Sequence, residues 1–101
     1  MSAGSDAAQA LRETCWQVVE CLLPGVTTAI AESLAGQVRS ELASCGSPVC
    51  YVGSILMPED EVLLCLFTGP PAEVRALSER AGLPFERILR CVGLGWPNPD
   101  E

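Results

Sequence analysis

The sequence contains neither histidine nor lysine, and its six basic residues are all arginine. Without lysine, the chain cannot form the Schiff base of pyridoxal enzymes or supply the lysine of a phosphate-binding P-loop. Without histidine, it cannot build a Ser-His or Cys-His nucleophile pair, a two-histidine iron site or a zincin helix. Acid–base chemistry is therefore left to carboxylates, thiols, the single tyrosine and water.

Positive charge is scarce relative to negative charge. Six bases stand against thirteen acids, which gives a formal net charge of −7. This field repels phosphate, so we expect neither nucleic acid nor an anionic membrane as a partner. No apolar run reaches the length of a membrane span, and residues 1–10 lack the basic and apolar succession of a signal peptide. The sequence therefore predicts a cytoplasmic protein.

Zinc-type cysteine spacing is also missing. The six cysteines are Cys15, Cys21, Cys45, Cys50, Cys65 and Cys91, and none forms a Cys-x-x-Cys pair. Cys15 and Cys21 lie six residues apart on one predicted strand, which separates them by roughly 20 Å and prevents them from sharing a metal. We expect reduced thiols that act as small buried hydrophobic groups, with no metal site and no cofactor.

Turn residues divide the chain into six elements. A β-rich segment, 13–23, ends at Pro24-Gly25. A helix follows, capped by Thr27 or Thr28, with an apolar stripe at a spacing of four: Ile30, Leu34, Val38 and Leu42. Segments 49–57 and 61–68 predict a β-hairpin because three residues join them. A second helix begins at the Pro70-Pro71 pair and ends at Gly82, and 86–92 predicts a fourth strand.

This order predicts an α/β (α+β) protein with the ferredoxin-like βαββαβ fold, in which two helices cover one face of a four-stranded antiparallel sheet. The domain is predicted over 13–94, between a flexible leader (1–12) and a flexible tail (95–101). The third strand is apolar on both of its faces from Val62 to Phe67. Such a strand is normally covered on both sides. We therefore expect a homodimer that stacks sheet on sheet in a dimeric α/β-barrel-like assembly.

Several segments resemble one family. They are Val18-Val19-Glu20-Cys21-Leu22-Leu23-Pro24-Gly25, Tyr51 through Glu61 with its Pro-Glu-Asp-Glu hairpin, Cys65-Leu66-Phe67, and Glu79 through Ile88 with its Arg-Ala-Gly-Leu-Pro helix stop. In these features the chain is similar to the small bacterial nickel-binding protein-like domain of unknown function. The resemblance runs from about Glu13 to Leu94. It implies a ferredoxin-like fold, a homodimer and, by the family's name, nickel; the family's usual Val-Glu-Arg reads Val19-Glu20-Cys21 here.

Five residues are candidates for chemistry. Glu20 is a carboxylate inside an apolar strand, so it is the candidate general acid or base if its burial raises its pKa. The competing interpretations are a structural ion pair with Arg87 or Arg90 and an exposed strand end. Trp16, Tyr51, Ser54 and Cys65 are the candidate ligand contacts, because aromatic bodies with polar tips suit small-molecule sites. Gly53, in the middle of a strand, predicts close approach by another backbone or a ligand.

Three functions remain open on the sequence. The first is a non-catalytic, dimeric binding protein for a small molecule or metal ion, as the resemblance implies. The second is a cofactor-free enzyme of the cyclase, isomerase or oxygenase type, with Glu20 moving a proton and Trp16 and Tyr51 shaping an apolar pocket on the open sheet face. The third is a structural interaction module without a ligand.

Overall fold

Four strands and two helices follow one another in residues 14–94, the part of the chain that the computed structural model describes. They are β1 (Thr14–Leu22), α1 (Thr28–Cys45), β2 (Cys50–Met57), β3 (Val62–Thr68), α2 (Pro71–Arg80) and β4 (Phe85–Gly93). Every predicted element is present, with ends that differ from the prediction by at most two residues. The predicted leader and tail lie outside the described residues.

The strands form a single antiparallel sheet in the order β2-β3-β1-β4. Each helix connects one outer strand to an inner one, which is the crossover pattern of the ferredoxin-like fold. The predicted α+β fold class is therefore confirmed. No helix among residues 14–94 is long and apolar enough to cross a membrane.

The ends of both helices follow from local chemistry. Thr27 caps α1, because its Oγ1 accepts a hydrogen bond from Ile30 N at 3.2 Å. Gly46 ends the helix in the left-handed conformation that glycine adopts without steric cost. Pro71 opens α2, where its missing N–H is not needed. These signals were all readable in the sequence, and they fix where each helix begins and ends.

The hydrophobic core lies between the helices and one face of the sheet, which we call the helix face. Its fully buried members come from β1, β3 and both helices: Val19, Cys21, Val38, Leu63, Cys65, Phe67, Val74 and Leu77. Within the predicted α1 stripe, Leu34 and Leu42 pack against this core, whereas Ile30 is 45% exposed. The prediction for Ile30 is therefore wrong; in the first turn of α1 it is Ala31 that packs against the core.

The opposite side of the sheet, which we call the open face, has no element of residues 14–94 packed over it. Strand pairing assigns its positions, since directly paired residues point the same way. They are Trp16, Val18, Glu20 and Leu22 on β1, Val62, Leu64 and Leu66 on β3, Ile55 and Met57 on β2, and Arg87, Leu89 and Cys91 on β4. Most of these side chains are apolar, as the sequence of β3 predicted.

The β2–β3 hairpin is fastened to the loop before α1. Leu23 N donates to the Glu61 carbonyl oxygen at 2.8 Å, and Gly25 N donates to Glu61 Oε2 at 2.7 Å. Glu61 makes these bonds with a positive φ of 57°, which is uncommon for a side chain other than glycine. The contact positions the start of α1 beside the far end of β2.

Candidate functional site

A cleft of about 210 Å³ lies between α1 and the β2 edge of the sheet, on the helix face. Alanines of α1 and leucines of β2 and β3 form its apolar surface. Hydroxyls and two opposite charges supply its polar surface. The lining residues are Thr28, Ala31, Glu32, Ala35, Arg39, Tyr51, Ser54, Leu56 and Leu63.

A β-bulge brings Tyr51 and Ser54 into this cleft together. Residues three apart on a regular strand point to opposite faces. In β2, Tyr51 pairs with Phe67 but Gly53 pairs with Leu66, so Val52 is an extra residue in the strand. This insertion shifts the alternation by one residue and places Tyr51 and Ser54 on the same side. Gly53 permits the bulge with a φ of 150°.

Within residues 14–94, Gly53 has a reason other than the predicted close approach of a backbone, and close approach of a ligand stays a prediction. A Cβ built at this position meets no atom within 4 Å in the described structure. Close approach of a backbone is not what requires glycine. The requirement is the positive φ at the bulge, which side chains rarely adopt.

A chain of hydrogen bonds leads from the cleft into the core. Ser54 Oγ donates to Cys65 Sγ at 3.3 Å. The Tyr51 and Ser54 hydroxyls are also hydrogen-bonded to each other. Since the single hydroxyl hydrogen of Ser54 is used by Cys65, Tyr51 is the donor to Ser54. Cys65 is fully buried and lies beside the equally buried Cys21 thiol. Three of the residues in this hydrogen-bonded series, Tyr51, Ser54 and Cys65, were predicted from the sequence as site residues, but Cys21 was not.

The two buried thiols perturb one another. A hydrogen bond from Cys21 and a second from Ser54 lower the pKa of Cys65 from 9.0 to about 7, against the opposing effect of burial. The pKa of Cys21 is raised, because its proton is held by Cys65 and because burial disfavours a second thiolate. The pair therefore releases its first proton from Cys65.

Two contacts fix the ring of Tyr51. On its inner side the ring lies 5.2 Å from the Phe67 ring, centroid to centroid, and the two planes are tilted by 37°. Above it, the Arg39 guanidinium carbon lies 5.5 Å from the ring centroid, which is a cation–π distance. The tyrosine hydroxyl is therefore presented from a ring that is held on both sides.

Trp16 and Glu20 lie on the open face, across the sheet from this cleft. Trp16 lines a smaller cavity of about 140 Å³, together with Val18, Leu66, Cys91, Val92 and Gly93. Glu20 accepts a hydrogen bond at 2.6 Å from Arg87 Nε on the neighbouring strand. Of its two suggested arginine partners, the carboxylate pairs with Arg87. The five candidate residues therefore divide into a group of three and a group of two.

Two lining residues that the sequence did not single out are Glu32 and Arg39. Both belong to α1 and both are exposed. They are seven residues apart, so two helical turns bring them back to the same side of the helix. That spacing was the available signal, but charges beside an apolar stripe usually face solvent. Glu32 and Arg39 line a cleft because β2 lies at the edge of the sheet beside this side of α1.

The nickel implied by the family resemblance does not match the donors present. No three His, Cys, Asp or Glu side chains come together in residues 14–94. The closest approach to a donor set is the pair of buried thiols, Cys21 and Cys65, whose third neighbour is the Ser54 hydroxyl. Two thiols and an alcohol do not make a nickel centre of the imidazole or square-planar kind.

Comparison with known proteins adds support for the fold. Neither a protein-family model nor a curated protein matches the chain. The crystal structure of SCO4226 from Streptomyces coelicolor A3(2) is similar, with a TM-score of 0.58 and 23% sequence identity. The match covers 75% of this chain and 93% of that one. Membership of the nickel-binding protein-like family stays a prediction.

Proposed function

We propose that the protein is a homodimeric binding protein for a small organic molecule, which it holds in the cleft between α1 and β2. The observation that carries this proposal is the joint position of Tyr51 and Ser54. Their hydroxyls are hydrogen-bonded to each other at the wall of the cleft, because the extra residue in β2, Val52, places both side chains on the same face. Polar groups that converge on an apolar surface are the usual composition of a small-molecule site.

The size and lining of the cleft favour a small ligand. Its volume of about 210 Å³ lies below the roughly 300–1,000 Å³ of sites for drug-sized molecules. Ala31 and Ala35 leave the helix side open, while Leu56 and Leu63 provide the apolar contact below. The absence of a cluster of metal donors in residues 14–94 favours an organic ligand over nickel.

A second copy of the chain is the proposed cover of the open face. That face carries a row of apolar side chains, and Leu22 and Ile55 on it are 48% and 51% exposed. Sheet-on-sheet packing buries such rows in a symmetric dimer. Because the cleft is on the other side of the sheet, it stays accessible in this dimer.

The enzyme with Glu20 as its acid or base is less well supported. Its carboxylate already accepts a hydrogen bond from Arg87, and Tyr51 lies on the opposite side of the sheet. The cavity at Trp16 would be closed by the second copy. Under the proposed function, Glu20→Gln leaves ligand binding unchanged, whereas loss of binding would restore Glu20 to the site.

The test is a ligand screen by saturation-transfer NMR, with wild-type protein and two serine variants. Ser54→Ala removes the hydroxyl inside the cleft. Ser40→Ala, on the exposed surface of α1, removes a hydroxyl outside it. We expect ligands that bind the wild type and Ser40→Ala but bind Ser54→Ala at least about tenfold more weakly, as for a lost polar contact in a site. Ligands insensitive to Ser54→Ala would contradict the proposal.

A further inference from the structure

Resting on the proposed binding site, we infer that the ligand is a small zwitterion whose ammonium and carboxylate groups are separated by an apolar spacer. Its carboxylate contacts Arg39, and its ammonium contacts Glu32. The observation behind this assignment is that the cleft has one charge of each sign on its helix wall.

The two charges are set apart along the helix axis. Glu32 and Arg39 are seven positions apart in α1. At 1.5 Å per residue the two Cα atoms are roughly 10 Å apart, and both side chains point from the same side of the helix. Because the two side chains leave the helix at points this far apart, a ligand whose own two charges are separated suits them better than a compact α-amino acid. A linear molecule with several methylene groups between its charged ends spans this distance.

Both charges are available to a ligand. The salt bridges found in residues 14–94 join Arg80 to Glu41 and Arg87 to Glu20, and neither involves Glu32 or Arg39. Arg39 is instead held over the Tyr51 ring, which fixes its guanidinium at the cleft without neutralising it. A carboxylate reaching that guanidinium would form the strong, charge-assisted hydrogen bonds typical of arginine.

The surface between the charges matches the spacer. On the helix wall, Ala35 lies between Glu32 and Arg39 along the chain, and Ala31 comes directly before Glu32. Leu56 and Leu63 line the same cleft from the sheet. Methylene groups laid along these residues leave water for an apolar surface, which is worth roughly a fourfold gain in affinity per buried methylene group. A polar spacer would lose this contribution.

The charge of the whole protein argues against a ligand with one charge. At a net charge of −7, the protein repels a simple carboxylate at long range. A simple ammonium ion is attracted, but it cannot use Arg39 and is repelled by it. A zwitterion is neutral overall and satisfies both groups.

The experiment is isothermal titration of the full chain with a series of ω-amino acids from ω-aminobutanoate to ω-aminooctanoate. Hexanoate and hexylamine serve as single-charge probes. We expect one member of the series to bind at least about tenfold more tightly than either single-charge probe, the factor that one charged hydrogen bond supplies.

Two charge-removing variants locate the contacts. Glu32→Gln should weaken binding of the best ω-amino acid about tenfold and leave the affinity for hexanoate unchanged. Arg39→Gln should weaken binding of the ω-amino acid and of hexanoate, but not binding of hexylamine. Glu59→Gln and Arg75→Gln remove the same charges outside the cleft and should have no effect. Circular dichroism checks that the variants fold.

The outcomes separate this inference from the proposed function. Tighter binding of hexanoate than of every ω-amino acid, with no effect of Glu32→Gln, would overturn the zwitterion. So would the absence of binding across the series. In both cases a screened ligand that depends on Ser54 would leave the binding function standing. A screen without such a ligand would remove the binding function itself.

Discussion

Ser54 on β2 donates its hydroxyl hydrogen to Cys65 Sγ on β3, across 3.3 Å. This bond joins the wall of the cleft to a thiol that solvent does not reach. Together with the hydrogen bond from Cys21, it favours the thiolate form of Cys65. The titration of a core residue is therefore coupled to the side chains of the candidate site, and the coupling has measurable consequences.

We predict that the stability of the fold passes through a maximum near pH 9. The folded protein releases the Cys65 proton near pH 7, whereas the unfolded chain retains it up to about 9.0. The free energy of unfolding therefore rises with pH between these values, by about 2 kcal/mol, and this gain is lost as the pH falls through 7. Above 9, the raised pKa of Cys21 reverses the slope. Urea unfolding at a series of pH values measures this profile.

Cys21→Ala is the variant that tests the cause. It removes the main donor to Cys65, so burial dominates and the rise between pH 7 and 9 should disappear. Cys50→Ala removes an exposed thiol instead and should keep the wild-type profile. If Cys21→Ala also keeps the rise, the thiol pair is not its source.

The core beneath α2 should be sensitive to truncation. Leu77 is fully buried among residues of β1, β3 and α2, and Leu77→Ala leaves a cavity. We expect it to lower the free energy of unfolding by about 2–5 kcal/mol in urea titrations. Ile30→Ala, at a position that is 45% exposed, should change it by no more than about 0.5 kcal/mol. Equal losses in the two variants would mean that α1 and α2 pack differently from the described arrangement.

Dimerisation through the open face should depend on Ile55. This side chain is 51% exposed in the single chain, so Ile55→Lys does not disturb the core of the subunit. In a sheet-on-sheet dimer the introduced lysine would be buried against apolar side chains. We therefore expect the dissociation constant of the dimer to rise at least about a hundredfold. Sedimentation equilibrium measures the mass against the 10.7 kDa of one chain.

Ile30→Lys is the matched control for this experiment. It adds the same charge at a similarly exposed isoleucine on α1, away from the sheet. It should leave the dimer intact. A wild-type protein that sediments as a monomer, or a control that dissociates as readily as Ile55→Lys, would rule out the open face as the interface.

The fold was predictable because its signals are local. Thr27, the Pro70-Pro71 pair and Gly82 mark helix ends by their own chemistry. Glu20 was predicted to share a face with Trp16, and the pairing of β1 agrees, because that strand is regular over this stretch. Period-two alternation is reliable wherever a strand has no insertion.

The candidate site was only partly predictable because it depends on the pairing of β2 with β3. Strict alternation separates Tyr51 from Ser54. The available signal for the bulge was Gly53, which was interpreted from the sequence as a point of close approach instead. Glu32 and Arg39 are ordinary exposed helix charges until the β2 edge is placed beside them. A site formed by a bulge and a helix wall is a tertiary feature.

That dependence on the bulge leads to a prediction for Gly53. Its φ of 150° is unfavourable for any residue with a Cβ, although the space around it is open. Gly53→Ala should therefore lower the free energy of unfolding by about 1–3 kcal/mol, the usual cost of a strained backbone conformation. If the bulge is removed to relieve this strain, Tyr51 and Ser54 return to opposite faces. Ligand affinity should then fall together with stability.

Gly36→Ala is the control, since Gly36 lies inside α1, also with open space around its Cα, but has no positive φ. Alanine in a helix interior is favoured over glycine, so this variant should gain about 0.5–1 kcal/mol. Opposite signs in urea unfolding would attribute the effect at Gly53 to its backbone conformation. The prediction is contradicted if Gly53→Ala is as stable as the wild type and NMR shows the Tyr51–Ser54 contact intact. The bulge, and with it the cleft, would then not depend on glycine at position 53.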